Sequence, residues 1–398
     1  MVYLKVVMNQ ISGRESRDLR EIATAAKVGF ETHVLSLGDT DGEIFSADGI
    51  TFHSCRPFPK IYGIKYVYFF FLYYGLIKRI RLFKADIISC HDIIALVPGY
   101  LSTLFMPKQK RPKLIYDAHE FEMGRNIARS PFWVWYYKHL EGFLMRRCAL
   151  NIMVNDSIAD ETQRIHALQD KPLVIRSTPP KWNLDPEIIE QKKKWIKAQK
   201  QWPDETFLAM YHGGMQSNRG IEHFIRVIAK CDGVCGVIMG YGEENYVDSL
   251  KKLADEQGVA ERLLFIPAVA RNDIWKYAGA VDVEVSTMLS TCKSYYFALP
   301  NKFFESIQSM TPIIASDFPE MKRITEEYDI GLTCNPSDVE KLTSCVIKMK
   351  TDNLMYDRFK KNLIKAKNDL CWEKESIKLE DALLKLKNEE LQENQKDG

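Results

Sequence analysis

Short apolar runs alternate with amphipathic helical patterns along almost the whole chain. Runs of this length predict strands, and helices between them predict parallel pairing, because a parallel connection needs a long crossover. The predicted strands of the first half are Leu4–Met8, Thr32–Ser36, Ile87–Cys90, Lys113–Tyr116, Leu150–Val154 and Leu173–Arg176. Those of the second half are Phe207–Tyr211, Val234–Met239, Leu263–Pro267, Val281–Val285, Pro312–Ala315 and Gly331–Thr333. Helices such as Ser16–Val28, Gly220–Ala229 and Asn245–Glu256 are predicted between them. The alternation limits the chain to the α/β class.

A chain of 398 residues is longer than one ordinary domain, and its composition changes between residues 181 and 205. That stretch follows Pro179-Pro180 and is rich in lysine, as expected of a linker. We therefore predict two doubly wound, Rossmann-like domains, residues 1–180 and 181–370, that face a central cleft. Ligands of such sheets bind at the carboxyl ends of the strands, so the site is expected there.

Residues 371–398 are predicted to form an amphipathic helix, Cys371–Leu386, that returns towards the N-terminal domain. The remainder, Lys387–Gly398, is so polar that we predict a disordered tail.

Charge and cysteine usage exclude several classes of protein. A formal net charge of +2 argues against a general nucleic-acid binder, which needs a concentrated basic surface. The nine cysteines are scattered, and Cys231 and Cys235 have no second ligand pair, so we expect buried thiols in a reducing cytoplasm and no metal. No signal peptide is expected at the N-terminus. The longest apolar run, Tyr66–Ile77, is much shorter than the roughly 20 residues that span a bilayer. The protein is therefore expected to be cytoplasmic, or peripheral on the inner face of the membrane.

The most informative motif is Leu299-Pro300-Asn301-Lys302, followed by Glu305 and a buried strand. Asn301 is predicted to cap a helix whose first amides suit an anion. Glu305 lies one turn further in, where a carboxylate can accept two hydrogen bonds from a sugar diol. This arrangement indicates a pocket for a phosphorylated sugar compound.

Two glycine motifs follow predicted strands of the second half. Tyr211-His212-Gly213-Gly214 ends one strand, and Arg219 precedes the next helix, where its guanidinium can hold diphosphate oxygens. An ordinary turn with a surface arginine explains this motif about equally well. Gly240-Tyr241-Gly242 ends the next strand, and for it the structural explanation is slightly favoured.

Titratable residues follow two neighbouring strands of the first half. His91 and Asp92 follow one strand, and Asp117, His119 and Glu120 follow the next. Because both sets lie at carboxyl ends, they are expected on the ligand side of the sheet. They do not form a hydrolytic triad, since no nucleophile elbow is present.

The segment from Arg56 to Lys84 combines aromatic residues with seven basic residues and no acid. Core packing explains one stripe, which is predicted to be Tyr66, Phe69, Phe70, Tyr73, Ile77 and Ile80. The other apolar faces and the basic rim favour an interfacial helix on an anionic membrane, although a buried helix stays an alternative. A second candidate for membrane contact is Pro131–Tyr137 with Arg146 and Arg147, near which Lys108, Lys110, Arg111 and Lys113 are expected.

Taken together in their order, these motifs resemble the retaining GT-B glycosyltransferases of the "glycosyl transferases group 1" family, also called family 4, over roughly residues 4 to 385. The stretches Cys90-His91-Asp92 and Tyr116-Asp117-Ala118-His119-Glu120 are similar to one sub-branch, which reads "HaHD" and "YDsHE". The glycine motifs and Leu299–Glu305 follow in family order.

The resemblance implies a transfer of a sugar, with retention and without a metal or cofactor, from a UDP- or GDP-linked donor to an acceptor hydroxyl. It implies that Glu305 binds the ribose, that Arg219 binds the diphosphate, and that His119 lies near the donor sugar. The remaining donor-side residues implied are Gly13, Gly213, Gly214, Gly240, Gly242, Asn301 and Lys302. Those on the acceptor side are His91, Asp92, Asp117 and Glu120. A polyprenyl-linked glycan of surface polysaccharide or lipopolysaccharide synthesis fits the basic aromatic segment.

The chain departs from the family pattern at two positions. Phe297 replaces the first acid of the Glu-x7-Glu motif, and Met215 replaces a basic residue that clamps phosphate, for which Lys302 is a candidate substitute. Two alternatives therefore stay open, a GT-B-fold sugar-nucleotide epimerase and a degenerate GT-B scaffold or partner subunit. Tight nucleotide binding would argue against the scaffold, and conversion of the donor without an acceptor would indicate the epimerase.

Overall fold

The structure is a computed structural model that describes residues 1–8, 17–39, 41–56, 65–125 and 130–396. It divides into two compact units. Unit 1 comprises residues 1–176 and 375–398, and unit 2 comprises residues 177–374.

Among the described residues, unit 1 contains an eight-stranded sheet in the order β3-β4-β2-β1-β5-β6-β7-β8. The strands are β1 Val2–Val7, β2 Glu31–Leu37, β3 Gly42–Ala47, β4 Ile50–Cys55, β5 Ile87–His91, β6 Lys113–Ala118, β7 Leu150–Met153 and β8 Leu173–Val174. All neighbours pair in parallel except β3 and β4. The helices of this part are α1 Arg17–Lys27, α2 Lys65–Leu82, α3 Asp92–Thr103, α4 Pro131–Met145 and α5 Asp156–His166.

The antiparallel hairpin of β3 and β4 was absent from the predicted elements. Asp48 and Gly49 join its strands, and both have positive φ angles, 51° and 76°. An Asp-Gly pair in this conformation is typical of a two-residue hairpin turn. The sequence signal was therefore present, but the flanking runs are too polar to stand out as strands.

Unit 2 contains a six-stranded sheet in the order β11-β10-β9-β12-β13-β14, in which every pair among the described residues is parallel. The strands are β9 Phe207–Met215, β10 Val234–Gly242, β11 Leu263–Pro267, β12 Val283–Ser286, β13 Ile313–Ser316 and β14 Gly331–Cys334. The helices are α6 Pro186–Ala198, α7 Ile221–Lys230, α8 Glu244–Glu256, α9 Ile274–Ala278, α10 Lys293–Tyr296, α11 Asn301–Gln308, α12 Pro319–Tyr328, α13 Val339–Thr351 and α14 Asn353–Asp369. The structure confirms the predicted α/β class with two parallel-sheet domains.

The last helix, α15, spans Trp372–Lys396, so the predicted disordered tail is wrong up to residue 396. Its apolar stripe of Leu379, Leu383 and Leu386 is buried. Polar contacts continue beyond that stripe, because the Lys387 ammonium donates to the carbonyl oxygens of Val28 and Gly29 at 2.9 and 3.1 Å. These tertiary contacts stabilise a segment whose composition alone would leave it unfolded.

Helix α2 buries Leu72, Leu76 and Ile80, which recur every four residues as a core stripe does. The predicted stripe was rotated from this one, since Phe70 is 67% exposed. None of the helices in the described part of the chain combines the length and apolar character needed to cross a membrane.

Candidate functional site

The glycine motifs of unit 2 lie where β9 and β10 pair at their carboxyl ends. β9 continues past Tyr211 to Met215, and Gly213 pairs with Gly240. A Cβ atom on Gly240 would lie 1.8 Å from the carbonyl oxygen of Gly213, so no other residue fits there. Close strand pairing therefore accounts for Gly240, whereas phosphate contacts of Gly213, Gly214, Gly240 and Gly242 stay predictions.

Lys302 lies in the first turn of α11 and is only 8% exposed. Its Nζ atom is 3.6 Å from the centre of the Tyr211 ring and has no hydrogen-bond partner among the described residues. Burial, together with the charge of Arg219, lowers the pKa of Lys302 to about 7 despite nearby carboxylates. An amine that is buried with no partner is costly, unless an anion completes its surroundings.

Arg219 precedes α7 and has no carboxylate partner among the described residues. One of its guanidinium nitrogens is 3.9 Å from Met288 Sδ, and the guanidinium lies 5.2 Å from the centre of the Tyr295 ring. Its charge acts on Lys302, so the two side chains form one positive region at the carboxyl edge of the sheet. A positive region with two side chains of this kind suits a polyanionic ligand.

Glu305 belongs to a buried network of alternating charges that sequence reasoning had not identified. The imidazole of His212 lies between two carboxylates, with Nδ1 2.9 Å from Glu284 Oε1 and Nε2 3.0 Å from Glu305 Oε2. Burial alone would lower the pKa of His212, but Glu284 and Glu305 raise it to about 9. The imidazole is thus a cation at neutral pH and donates to both carboxylates.

The second oxygen of the Glu305 carboxylate is 3.5 Å from Arg271 Nε. Burial opposes ionisation, yet the hydrogen bond and charge of His212, with Arg271, hold the pKa of Glu305 below its usual value. Glu305 is therefore an ionised acceptor held in one orientation, which is the state that a diol-binding carboxylate needs.

The predicted cap of α11 is wrong. Asn301 is the first helical residue and is exposed, and Pro300 takes the N-cap position without a side-chain hydrogen bond. Proline fits before a helix because its φ angle is already suitable. No side chain caps the amides of the first turn, so the N-terminus of α11 keeps its partial positive charge.

In unit 1, Asp117 lies at the centre of a fully buried ionic cluster at the end of β6. Its Oδ1 accepts from Arg17 Nη2 at 2.9 Å, and its Oδ2 accepts from Lys5 Nζ at 2.5 Å. Lys5 also donates to Glu21 at 2.8 Å. Burial opposes the negative charge of Asp117, but the positive charges of Lys5 and then Arg17 hold the pKa of Asp117 well below its usual value.

The predicted histidines lie beside this cluster and meet each other. His119 Nε2 is 3.0 Å from Asp117 Oδ2, and the rings of His119 and His91 are 3.8 Å apart between centres. Asp92 Oδ1 accepts from the backbone N–H of His119 at 2.9 Å. Four residues that were predicted on the acceptor side or near the donor sugar therefore form one group: His91, Asp92, Asp117 and His119. Glu120 is separate from it, since it is 53% exposed and pairs with Arg125 at 3.1 Å. Gly13 lies outside the described residues.

Metal-binding residue types also meet here. Asp18, His91 and His119 form one group, and Asp18, Glu21, Asp117 and His119 form another, with ligand atoms within 4.8 Å of one another. However, Lys5 Nζ lies 2.5 to 3.7 Å from the carboxylates of Asp18, Glu21 and Asp117 and already supplies a positive charge among them. We therefore assign the charge balance of this cluster to Lys5 and Arg17.

The missed residues did carry a sequence signal. Lys5 interrupts the apolar run of β1, and Glu284 interrupts that of β12. Both side chains are fully buried. A charged residue inside a buried strand requires an opposite charge nearby, but the sequence does not name the partner.

Two family models match the chain. "Glycosyltransferase Family 4" matches residues 19–177, and "Glycosyl transferases group 1" matches residues 192–366. A curated relative is the lipopolysaccharide core biosynthesis glycosyltransferase LpsE of Rhizobium meliloti (strain 1021), 27% identical over 156 residues. That alignment covers 39% of this chain and 43% of LpsE, so it spans less than half of the relative.

Solved structures match over nearly the full length. Sucrose-phosphate synthase from Thermosynechococcus elongatus has a TM-score of 0.77 and 13% identity, over 97% of this chain and 99% of that chain. HepE of Anabaena, solved in complex with UDP, has a TM-score of 0.74 and 15% identity, over 98% of this chain and 100% of that chain. At these identities the likeness shows the fold, which is GT-B. The chain thus contains a domain that matches Glycosyltransferase Family 4 in its first half and a domain that matches Glycosyl transferases group 1 in its second half.

Proposed function

We propose that this protein transfers a sugar from a nucleoside-diphosphate sugar to an acceptor hydroxyl, with retention of the anomeric configuration and without a metal ion. The proposal rests on Lys302, whose buried ammonium has no hydrogen-bond partner among the described residues and lies beside Arg219. The diphosphate of the donor would provide the negatively charged hydrogen-bond partner that neither side chain has among the described residues.

Charge develops on the leaving diphosphate as the bond to the sugar breaks. Lys302, Arg219 and the amides at the start of α11 are proposed to stabilise this charge, which is the role of a metal ion in other transferases. The departing phosphate oxygen would take the proton of the acceptor hydroxyl on the same face of the sugar. No side chain is assigned as nucleophile.

The donor is proposed to be UDP- or GDP-linked, with Glu305 on the ribose hydroxyls. UDP is supported by HepE, which was solved in complex with UDP. Because Glu305 is held ionised by His212, it can accept two hydroxyl hydrogens without a proton of its own.

A thermal-shift screen against UDP, GDP, ADP and CMP in the presence of EDTA tests this proposal. We expect one nucleoside diphosphate to raise the Tm selectively, since a ligand at about 100 times its Kd stabilises the native state by about 2.7 kcal/mol. EDTA should leave the shift unchanged. No shift with any nucleotide would instead favour the scaffold alternative. Incubating the protein with the matching UDP- or GDP-sugar, without an acceptor, tests the epimerase alternative. An epimerase would convert the sugar to an isomer, whereas a transferase would not.

The acceptor is proposed to be lipid-linked, reached from an anionic membrane surface. Helix α3 contacts both α2 and α4. Burial raises the pKa of Tyr73 to about 12, and the hydroxyls of Tyr137 and Tyr136 add to this effect, so α2 and α4 lie close to each other. Residues 131–136 are all exposed, including Phe132 at 62% and Trp135 at 57%. A helix that is apolar on all its faces suits an interior or a membrane rather than water.

Flotation with vesicles that contain anionic phospholipid tests the membrane contact. Replacing Phe132 and Trp135 together with glutamate is expected to reduce binding by about tenfold or more, because each change adds a charge where an apolar ring would insert. Binding of the unchanged protein should weaken with salt. Leu354→Glu is the matched control, since Leu354 is 87% exposed in unit 2. Equal flotation of all variants, or none by the unchanged protein at low salt, would refute the contact.

A further inference from the structure

The hydrogen bonds of Asp117 determine which nitrogen of His119 carries the proton in its neutral form. An ionised carboxylate only accepts hydrogen bonds, and Lys5 and Arg17 keep Asp117 ionised in a fully buried position. The 3.0 Å contact from His119 Nε2 to Asp117 Oδ2 therefore needs a hydrogen on Nε2. The lone pair of the neutral ring is then on Nδ1.

The backbone around His119 is held just as firmly. Its N–H donates to Asp92 Oδ1 at 2.9 Å, and Asp92 itself has a φ angle of +59°. A non-glycine residue rarely adopts this conformation, and such strain concentrates at functional sites. On the other side, the His119 ring contacts His91, whose Nδ1 is 2.7 Å from Asp18 Oδ1. His119 thus has one partner at its backbone N–H, a second at the Nε2 edge of its ring and a third at the face of its ring.

We propose that Lys5 and Arg17 are positioning residues that act through Asp117 to hold His119 in the Nε2–H tautomer, so that Nδ1 accepts a hydrogen bond from a hydroxyl of the sugar substrate. This inference rests on the proposed function for the identity of the substrate. Both cations also donate to Glu21, so Asp117 is held by an ion-pair network and not by a single partner. With one cation removed, the carboxylate would be free to rotate away or to take a proton, and the imidazole would lose its defined tautomer.

The test is a long-range 1H–15N correlation spectrum of protein labelled with 15N-histidine, with the signals assigned by comparison with His119→Asn. In the neutral ring of the unchanged protein, we expect a protonated Nε2 and an unprotonated Nδ1. Asp117→Asn offers an amide NH2 group in place of one oxygen. Since Lys5 and Arg17 compete for the remaining oxygen, the amide NH2 can face His119 and favour the Nδ1–H tautomer.

Asp117→Asn is expected to shift the tautomer wholly or in part and to lower turnover by about 10²- to 10⁴-fold, as the wrong tautomer does in other carboxylate–histidine pairs. Asp160→Asn, a matched change at an exposed position of unit 1, should alter neither. A protonated Nδ1 in the unchanged protein would overturn the inference, and this measurement does not need the variant to fold. An unchanged tautomer in Asp117→Asn would also overturn it. The spectrum needs no donor, so a failure of the nucleotide screen would refute the proposed function and leave this result standing.

Discussion

Lys302→Met is expected to lower turnover by about 10²- to 10³-fold and to weaken binding of the nucleoside diphosphate. Loss of one preformed donor to a developing negative charge has an effect of this size. Methionine keeps the length and packing of the side chain, so the change removes the charge rather than the fold. The measurements are steady-state kinetics with the donor and calorimetric titration with the nucleoside diphosphate. Lys252→Met is the matched control, because Lys252 is 79% exposed on α8. Equal affinity in the two variants would contradict the role of Lys302.

The same variant is expected to change how stability depends on pH. In the folded protein the pKa of Lys302 is about 7, below the unfolded value of about 10.4, so this residue makes stability rise with pH between those values. His212 acts oppositely, because its folded pKa is about 9 and its unfolded pKa about 6.5. Its contribution is complete below pH 6.5 and is lost as the pH rises through 9.

Between pH 7 and 9 these two effects nearly cancel in the unchanged protein. Lys302→Met removes one of them, so its stability should fall over this range by up to about 1.4 kcal/mol per pH unit, the slope for one proton. Thermal melts at half-unit pH steps measure this slope. A melting temperature of Lys302→Met that stays level from pH 7 to 9 would show that His212 is not protonated as its two carboxylate partners require.

Glu305→Ala is expected to raise the donor KM, lower kcat and remove discrimination against a deoxyribose. If the carboxylate binds the ribose hydroxyls, the unchanged protein should prefer UDP to 2′-deoxy-UDP by about tenfold or more, since a hydrogen bond to a charged group contributes about 1.5 to 3 kcal/mol. In Glu305→Ala the two affinities should become nearly equal. If the nucleotide screen selects GDP, the matching pair is GDP and 2′-deoxy-GDP.

Two further variants separate ribose binding from loss of structure. Glu305→Gln keeps an acceptor for His212 and should retain part of the preference for the ribonucleotide. Glu327→Ala, at a residue that is 55% exposed, should retain all of it. A preference for UDP that persists unchanged in Glu305→Ala would assign the ribose to another residue.

Several parts of this fold could be read from sequence because local pattern and tertiary structure agree. The strand β11 has the predicted bounds, Leu263–Pro267, since its apolar run and its pairing end together. Helix α1 ends within one residue of its predicted end, because its apolar face is a local property; its predicted first residue, Ser16, lies outside the described residues. The hairpin β3–β4 was missed because the runs that flank its Asp-Gly turn are polar. The end of α15 was missed because its contacts, such as that of Lys387 with Val28, join residues far apart in the chain.

The candidate site divides in the same way. The position of His119 after a strand of unit 1 and that of Lys302 at the start of a helix of unit 2 follow from the order of motifs along the sequence, because strands and helices alternate regularly in both sheets. The protonation states of these side chains do not follow from the sequence. Burial and the charge of Arg219 lower the pKa of Lys302 to about 7, and the hydrogen bond and charge of His212 keep Glu305 ionised.

By itself, the sequence determined the α/β class and the two parallel-sheet domains, since these depend on periodicity and spacing. Only the tertiary structure decided which charges face each other. Lys5 and Asp117 are 112 positions apart, and His212 and Glu305 are 93 apart, yet each pair is in hydrogen-bond contact. Electrostatic energy depends on distance and burial in space, and neither quantity can be read from separation along the chain.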